Sequence, residues 1–216
     1  MKELYKKKNC KFIRIYNSNK LSTDDKNSSF INSPDQLDET LSIAMQENKD
    51  ISRIVFIGAG FLSQSSLFIQ LNKEEIDKLI RANISNYLTC AHTVLPYMMK
   101  LKSGNLIYLS SFRSKVSSRG ISLYAASKAF GEMFFETIGK EYGSLGIYST
   151  SIRMGYFDGR MTTQLDDKKL KGIKLNSGNR RLGQPNDLMN AINYIIDNNY
   201  TNGGVLDLTG GINHEF

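Results

Sequence analysis

The sequence predicts an α/β fold in which helices flank a parallel sheet, and three observations support this prediction. Short runs rich in β-branched and aromatic residues alternate with amphipathic runs at helical spacing, a pattern typical of α/β folds. The 216 residues, 40% of them hydrophobic and 23% charged, suit one soluble globular domain with a buried core. No internal repeat or linker interrupts the chain, so residues 1–216 are expected to form a single domain.

The predicted strands are short and are separated by polar or glycine-containing segments. In chain order they are Phe12–Tyr16, Ser29–Ile31, Ile51–Ile57, Asn105–Leu109, Gly146–Arg153 and Val205–Leu208. The third run is mostly apolar, so we expect a buried strand that ends where Gly58 and Gly60 interrupt it.

Helices are predicted where apolar residues recur at intervals of three or four. Pro34 suits the first turn of a helix, and Leu37, Leu41 and Ala44 follow it at helical spacing. Further helices are predicted from Ile84 to Met98, over Tyr124–Tyr142 and over Asn186–Asn198. The segment between Asp158 and Arg181 is interpreted as a loop that covers a substrate.

The net charge is strongly positive, at +7, because 28 Lys and Arg face 21 Asp and Glu. Part of the surplus comes from lysines at positions 6–8 and at 168, 169 and 171. No basic helix is interleaved with aromatic residues, so we expect a solvated lysine surface and no nucleic-acid partner. His92 and His214 lack metal-ligand spacing, and no metal site is expected.

The cysteines and the apolar stretches predict a soluble cytoplasmic protein. Cys10 and Cys90 are far apart and form no disulfide or metal pattern, which fits a reducing compartment. The N-terminal residues lack the apolar core of a signal peptide. The most apolar stretch, residues 51–62, is too short to cross a bilayer, so no membrane partner is expected.

Four residues are candidates for proton-transfer chemistry. Tyr124 and Lys128 share a helix face, and a nearby ammonium is expected to lower the tyrosine pKa and so favour proton exchange. Ser111 ends a predicted strand thirteen residues before Tyr124, where its hydroxyl could stabilise charge on a substrate oxygen. Asn83 precedes the helix that leads into this strand, and its amide could join a proton relay through water.

These four residues match the tetrad of short-chain dehydrogenases/reductases in order and separation. The segments NLIYLSS and YAASKAF resemble that family's strand and active-site helix, and LGIYSTSIRMGYFDGRM resembles the strand and loop that pass the nicotinamide. RLGQPNDL and GGVLDLTGG resemble the family's segment before the penultimate helix and its closing strand. The resemblance covers residues 10 to 216. Among the members of the family, the sequence resembles those similar to 3-oxoacyl-[acyl-carrier-protein] reductases.

The resemblance implies a Rossmann-like doubly wound parallel sheet and hydride transfer between NAD(P) and a carbonyl or alcohol. Tyr124 would be the general acid/base, and Lys128 would lower its pKa and hold the nicotinamide ribose. Ser111 would orient the substrate carbonyl, and Asn83 would support the relay. A homodimer or homotetramer is also implied. The implied cofactor-binding residues are Gly58, Ala59, Gly60, Tyr124, Lys128 and Gly155.

The sequence departs from the family pattern in the parts that bind the cofactor. It contains no TGxxxGxG turn, and the resemblance therefore implies an N-terminally truncated fold that lacks the family's first strand and has a gap in mid-sheet. The family's NNAG reads Ile57–Gly60, and its Pro-Gly reads Met154-Gly155. Gly159 matches the threonine that contacts the carboxamide, with Thr162 or Thr163 as substitutes.

The end of the second family strand bears on the choice of cofactor. An acidic residue there favours NAD, because it binds a ribose hydroxyl. This sequence has Tyr16–Lys20, with one lysine and no acid, and so favours NADP over NAD. The third family strand ends in Asn32 where an aspartate facing adenine is usual.

Two functions are compatible with these observations. The first is an NAD(P)-dependent oxidoreductase that acts on a small carbonyl or alcohol, with Tyr124 as the acid/base. The second is a non-catalytic binding or scaffold protein derived from the same fold. The intact tetrad favours the first, and the missing glycine turn motivates the second.

Overall fold

A computed structural model of the chain describes residues 12–15, 28–31, 33–60, 66–159, 162 and 165–212. The strands of this part of the chain are β1 (Phe12–Ile15), β2 (Ser28–Ile31), β3 (Ile54–Ala59), β4 (Gly104–Ser111), β5 (Ile147–Met154) and β6 (Gly204–Leu208). Its α-helices are α1 (Leu37–Glu47), α2 (Lys73–Ile80), α3 (Asn86–Leu101), α4 (Ser122–Tyr142), α5 (Asp167–Leu175) and α6 (Pro185–Asp197).

The strands form two parallel sheets, which confirms the predicted α/β class. β1 pairs with β2, and the other four strands form a sheet in the order β3-β4-β5-β6. Within the described ranges, β3 forms strand pairs with β4 alone. Within the described residues, no strand pair joins β1 or β2 to the four-stranded sheet.

Helices cover both faces of the four-stranded sheet. Alternate residues of a strand point to opposite sides, so apolar side chains on each face need helices to bury them. Leu106 and Tyr108 of β4 pack with α1, α3 and α4 in one core cluster. Ile107 of β4 and Ile152 of β5 pack with α6 in a second cluster on the other face. Helices on both faces confirm the doubly wound arrangement that the sequence predicts.

Three local predictions differ from the structure. The strand expected to be buried at Ile51–Ile57 begins at Ile54 and is partly exposed, with Val55 36% exposed, because it lies at the edge of its sheet. Helix α2 begins well before Ile84, at a capping box of Asn72 and Glu75. The predicted loop at 158–181 contains α5, which begins after the N-cap Asp166.

Candidate active site

The candidate residues gather at the carboxyl ends of three neighbouring strands. Gly60 follows β3, Ser111 ends β4 and Gly155 follows β5. β4 and β5 pair in parallel up to this edge, with Ser111 opposite Met154. Open α/β sheets bind their ligands at this edge, so the candidate residues lie where this architecture places a binding crevice.

Tyr124 lies in the first turn of α4 and is buried beside Ser111. Burial raises the pKa of the Tyr124 phenol above 10, whereas a hydrogen bond with the Ser111 hydroxyl acts in the opposite direction. The predicted net lowering of this pKa is wrong, because desolvation of the phenolate outweighs the favourable contact. The phenol is therefore protonated at neutral pH, the form that can donate a proton.

Lys128 lies one helical turn after Tyr124 and is 2% exposed. Its Nζ donates a hydrogen bond to the carbonyl oxygen of Leu109 at 2.6 Å and lies 5.0 Å from the centroid of the Tyr108 ring. Burial lowers the pKa of Lys128 to about 8, while the Glu132 carboxylate acts in the opposite direction. The ammonium is therefore still mostly charged at pH 7, and it is fixed between the end of β4 and an aromatic ring.

Asn83 lies in a wide π-helical turn, Arg81–Ser85, that joins α2 to α3. Its Nδ2 donates to the Oγ of Ser127 at 3.1 Å, and this hydroxyl donates to the carbonyl oxygen of Tyr124 at 2.7 Å. Single π-helical turns within helices are frequent at functional sites. Here the turn holds the Asn83 amide against the helix that carries Tyr124 and Lys128.

Gly60 is the point at which Asn83 and Lys128 approach the end of β3. A β-carbon at this position would lie 2.8 Å from the Asn83 Oδ1 and 2.8 Å from the Lys128 Nζ. Both distances are shorter than ordinary van der Waals contact, so a glycine is needed for these two side chains to approach the backbone so closely. The structure therefore brings Asn83, Gly60 and Lys128 together.

The other implied cofactor-binding residues differ in their surroundings. Ala59 ends β3 and is exposed, next to Gly60. A β-carbon at Gly155 would lie 2.8 Å from the carbonyl oxygen of Thr209, so this glycine lets the loop after β6 approach β5. Gly58 is buried, and a β-carbon there would contact the core ring of Phe135. Gly58 thus contributes to core packing and does not face the candidate site.

Thr162, one of the two substitutes for the family's threonine, is buried in its own loop. Its hydroxyl lies 2.9 Å from each of the carbonyl oxygens of Phe157 and Gly159, which share its single hydrogen, and it accepts from the Gly159 amide at 3.0 Å. These bonds shape the loop after β5 and leave little capacity for a ligand. The predictions for Tyr16–Lys20, Asn32 and Thr163 lie outside the described residues.

A buried ion-pair cluster next to the site was missed by the sequence analysis. Arg153 on β5 donates to the two carboxylate oxygens of Glu132 on α4, at 3.1 and 2.8 Å, and to Asp207 on β6 at 2.9 Å. The hydroxyls of Ser110 and Ser114 each donate to Glu132 Oε1 at 2.6 Å. The cluster ties α4 to the ends of three strands. The only signal in the sequence was a carboxylate one turn beyond the candidate lysine.

Other features of the described chain bear on metal and membrane binding. Within the described ranges, no group of three or more His, Cys, Asp and Glu side chains is arranged to hold a metal ion. His92 is exposed on α3, and Cys90 is a buried free thiol on the same helix. None of the described helices combines the length and apolar character needed to cross a membrane.

Comparison with known proteins identifies the family. A profile described as short chain dehydrogenase matches residues 30–170, which include all four tetrad residues. The chain belongs to the short-chain dehydrogenase family. This short-chain dehydrogenase is 29% identical to a 3-oxoacyl-[acyl-carrier-protein] reductase of Chlamydia trachomatis over 73% of its own length and 64% of the relative. It is 24% identical to a protein of the same name from Thermotoga maritima, over 82% of the chain and 72% of the relative.

The fold is also similar to solved structures. A structure described as ElxO with NADP bound superposes with a TM-score of 0.76 at 21% identity, covering 86% of this short-chain dehydrogenase and 78% of that protein. This similarity supports the fold. The chain spans less than two thirds of the length of the Chlamydia relative.

Proposed function

We propose that this short-chain dehydrogenase is an NAD(P)-dependent oxidoreductase that transfers a hydride between the nicotinamide and a carbonyl or alcohol substrate. The observation that carries the proposal is that Ser111, Tyr124 and Lys128 are buried together at the carboxyl end of β4. A carbonyl oxygen between the Ser111 and Tyr124 hydroxyls would have one hydrogen-bond donor and one proton donor. Lys128 places a buried positive charge one turn away, which favours the developing phenolate.

The described residues fit the nicotinamide half of the cofactor. The Lys128 ammonium is buried beside Gly60, where a β-carbon would close the space. Its hydrogen bond to Leu109 uses one of its three N–H groups, which leaves donors for the ribose hydroxyls. Gly60, Ala59 and Gly155 would form the backbone surface along the same strand ends. Gly58 would act only indirectly, by letting β3 pack on the core.

In the direction of reduction, the Ser111 hydroxyl donates a hydrogen bond to the substrate carbonyl oxygen. Tyr124 transfers its phenolic proton to that oxygen as the carbonyl carbon gains a hydride. Reduced nicotinamide, when bound, supplies the hydride. Lys128 stabilises the resulting phenolate, and Asn83 keeps the relay in place through its hydrogen bond to Ser127. The product alcohol therefore carries the proton from Tyr124 on its oxygen and the hydride on its carbon.

We propose NADP over NAD, on the basis of the lysine and the absence of an acid in Tyr16–Lys20. The first experiment is a titration of NADPH, and then NADH, into the chain while nicotinamide fluorescence and melting temperature are followed together. Saturable binding at micromolar concentration is expected, with NADPH the tighter ligand. A cooperatively melting protein that binds neither would contradict the proposed function.

The catalytic role of Tyr124 is tested by Tyr124→Phe. Loss of a general acid/base is expected to lower turnover by roughly a hundredfold or more. Cofactor binding should weaken far less, because Lys128 and the glycines remain. Tyr194→Phe is the matched control, because Tyr194 is 52% exposed on α6. The alternative, a non-catalytic binding protein, predicts instead that Tyr124→Phe changes no measurable activity.

We also propose that the protein forms a homodimer or homotetramer through the outer face of α4. Phe130 and Met133 lie three residues apart on this helix and are 44% and 63% exposed, so two large apolar side chains are presented together on this face. Light scattering of Met133→Lys is expected to show a smaller species than that of the wild type. An unchanged mass would exclude this face. The buried free thiol of Cys90 is compatible with a reducing, cytoplasmic location.

A further inference from the structure

Arg113 is held at the edge of the candidate site by contacts from both neighbouring strand ends. It lies two residues after Ser111, the last residue of β4, and its backbone N–H donates to the Ser111 Oγ at 3.2 Å. Its guanidinium lies 4.4 Å from the centroid of the Phe112 ring, and its Nη2 donates to the Tyr156 hydroxyl at 3.2 Å. Tyr156 itself follows β5, and its ring is tilted against that of Phe112 with the centroids 5.3 Å apart. The guanidinium is therefore held by the Phe112 ring and the Tyr156 hydroxyl.

The charge of Arg113 is not balanced by a carboxylate. Its Nη1 is buried and has no hydrogen-bond partner, and no described carboxylate forms an ion pair with it. Arg153 and Arg181 differ, since each forms short ion pairs with carboxylates. The side chain is partly exposed, so water solvates part of its charge, and an anionic ligand would supply the missing counter-charge.

Arg113 is connected to the residues proposed to react through its backbone and through Tyr156. Arg113 contacts the Ser111 hydroxyl through its backbone and the Tyr156 hydroxyl through its side chain. Tyr156 is in turn near enough to Tyr124 to interact with it electrostatically. A substrate whose carbonyl oxygen lies between Ser111 and Tyr124 would therefore have its next few atoms beside the Arg113 guanidinium.

We propose that Arg113 binds an anionic group of the substrate, so that the natural substrate is an oxo acid or a phosphorylated ketone and not a neutral carbonyl compound. The inference rests on the proposed oxidoreductase function and adds the class of substrate to it. A carboxylate or phosphate oxygen would accept hydrogen bonds from the exposed part of the guanidinium, and such charge-assisted hydrogen bonds are stronger than neutral ones. The guanidinium is a specificity group here and takes no part in proton transfer.

The test compares two matched pairs of substrates with NADPH: acetoacetate with methyl acetoacetate, and dihydroxyacetone phosphate with dihydroxyacetone. The wild type is expected to show a kcat/KM at least tenfold higher for one of the charged members, which also distinguishes carboxylate from phosphate. Arg113→Met is expected to remove this preference by raising KM for the charged member, so that kcat/KM becomes similar for the two members of the pair. Arg113→Lys keeps the charge and is expected to restore part of the preference.

Arg119→Met is the matched control, because Arg119 is exposed in the same loop and should behave as the wild type. Equal kcat/KM values within each wild-type pair, or equal losses for both members in Arg113→Met, would overturn the inference. A second readout does not need turnover: the charged ligand should raise the melting temperature of the wild type and Arg119→Met but not of Arg113→Met. If no carbonyl compound is turned over, the proposed function fails, and this melting experiment alone decides whether Arg113 binds anions.

Discussion

Arg153 binds two carboxylates that differ greatly in exposure, and this difference gives a quantitative prediction. The side chains of Arg153 and Glu132 are 13% and 12% exposed, whereas that of Asp207 is 58% exposed. Glu132→Gln removes the buried counter-charge and leaves the guanidinium largely desolvated. We expect this variant to lower the free energy of unfolding by about 3 kcal/mol, at the low end for a buried pair because Asp207 remains. Asp207→Asn should cost less than about 1 kcal/mol, as is typical of exposed pairs.

The assay is urea unfolding followed by far-ultraviolet circular dichroism, with the wild type and both variants at the same pH and salt concentration. For a chain of this size, about 1 kcal/mol corresponds to a shift of about 2–4 °C in melting temperature. Glu132→Gln should therefore melt about 6–12 °C below the wild type, and Asp207→Asn no more than about 4 °C below it. The dependence of the unfolding free energy on urea should stay unchanged, so that a shifted midpoint reports stability.

A similar loss in both variants would refute this reasoning, because burial would then not determine the strength of the two pairs. A second test uses Glu132→Leu combined with Arg153→Met, which replaces the buried pair by apolar side chains. Such replacements are often neutral or stabilising. The double variant should therefore be more stable than Glu132→Gln, although Ser110 and Ser114 lose their acceptor.

The remaining predictions concern the site and the core. Because folding lowers the pKa of Lys128 from 10.5 to about 8, the unfolded chain binds more protons between these pH values, and wild-type stability rises with pH across this window. In urea unfolding at pH 7, Lys128→Met should therefore have a free energy of unfolding about 2 kcal/mol above that of the wild type, after allowance for one lost hydrogen bond. This difference in stability should be smaller at pH 9.5. Gly60→Ala should lower turnover at least tenfold, about 1.4 kcal/mol, by displacing Asn83 and Lys128, whereas Gly172→Ala, with open space around it, should not. Phe135→Ala should lose about 3–5 kcal/mol in urea unfolding, because Phe135 is fully buried; a loss below 1.5 kcal/mol, roughly the value for a partly exposed site, would show that the core refills the cavity.

The parts of the fold with strong periodicity could be predicted from the sequence. β4 and α4 were placed within two residues, because an apolar run and a long helical repeat carry their own signals. α2 and α5 were missed because both contain few apolar residues, and α5 has Gly172 in its interior. In each case the informative signal was an N-cap, Asn72 or Asp166, which does not depend on hydrophobic pattern.

The candidate site could be predicted only where its residues share an element or a motif. Tyr124 and Lys128 were placed together because helical spacing relates them directly. The pairing of Glu132 with Arg153 joins residues 21 positions apart on different elements, and no local pattern encodes it. The predicted direction of the Tyr124 pKa shift was wrong because the sequence shows the nearby lysine but not the degree of burial. Burial has the larger effect on this pKa.

The π-helical turn at Arg81–Ser85 divides one long helical stretch into two parts that face different neighbours. Before the turn, Leu79 packs with Ile121 and Tyr124; after it, Tyr87 and the following apolar residues belong to the main core. One extra residue in a helix rotates everything beyond it by about 100°. The turn thus sets the rotation of α3 relative to α2, so that Leu79 can face Tyr124 while Tyr87 faces the main core.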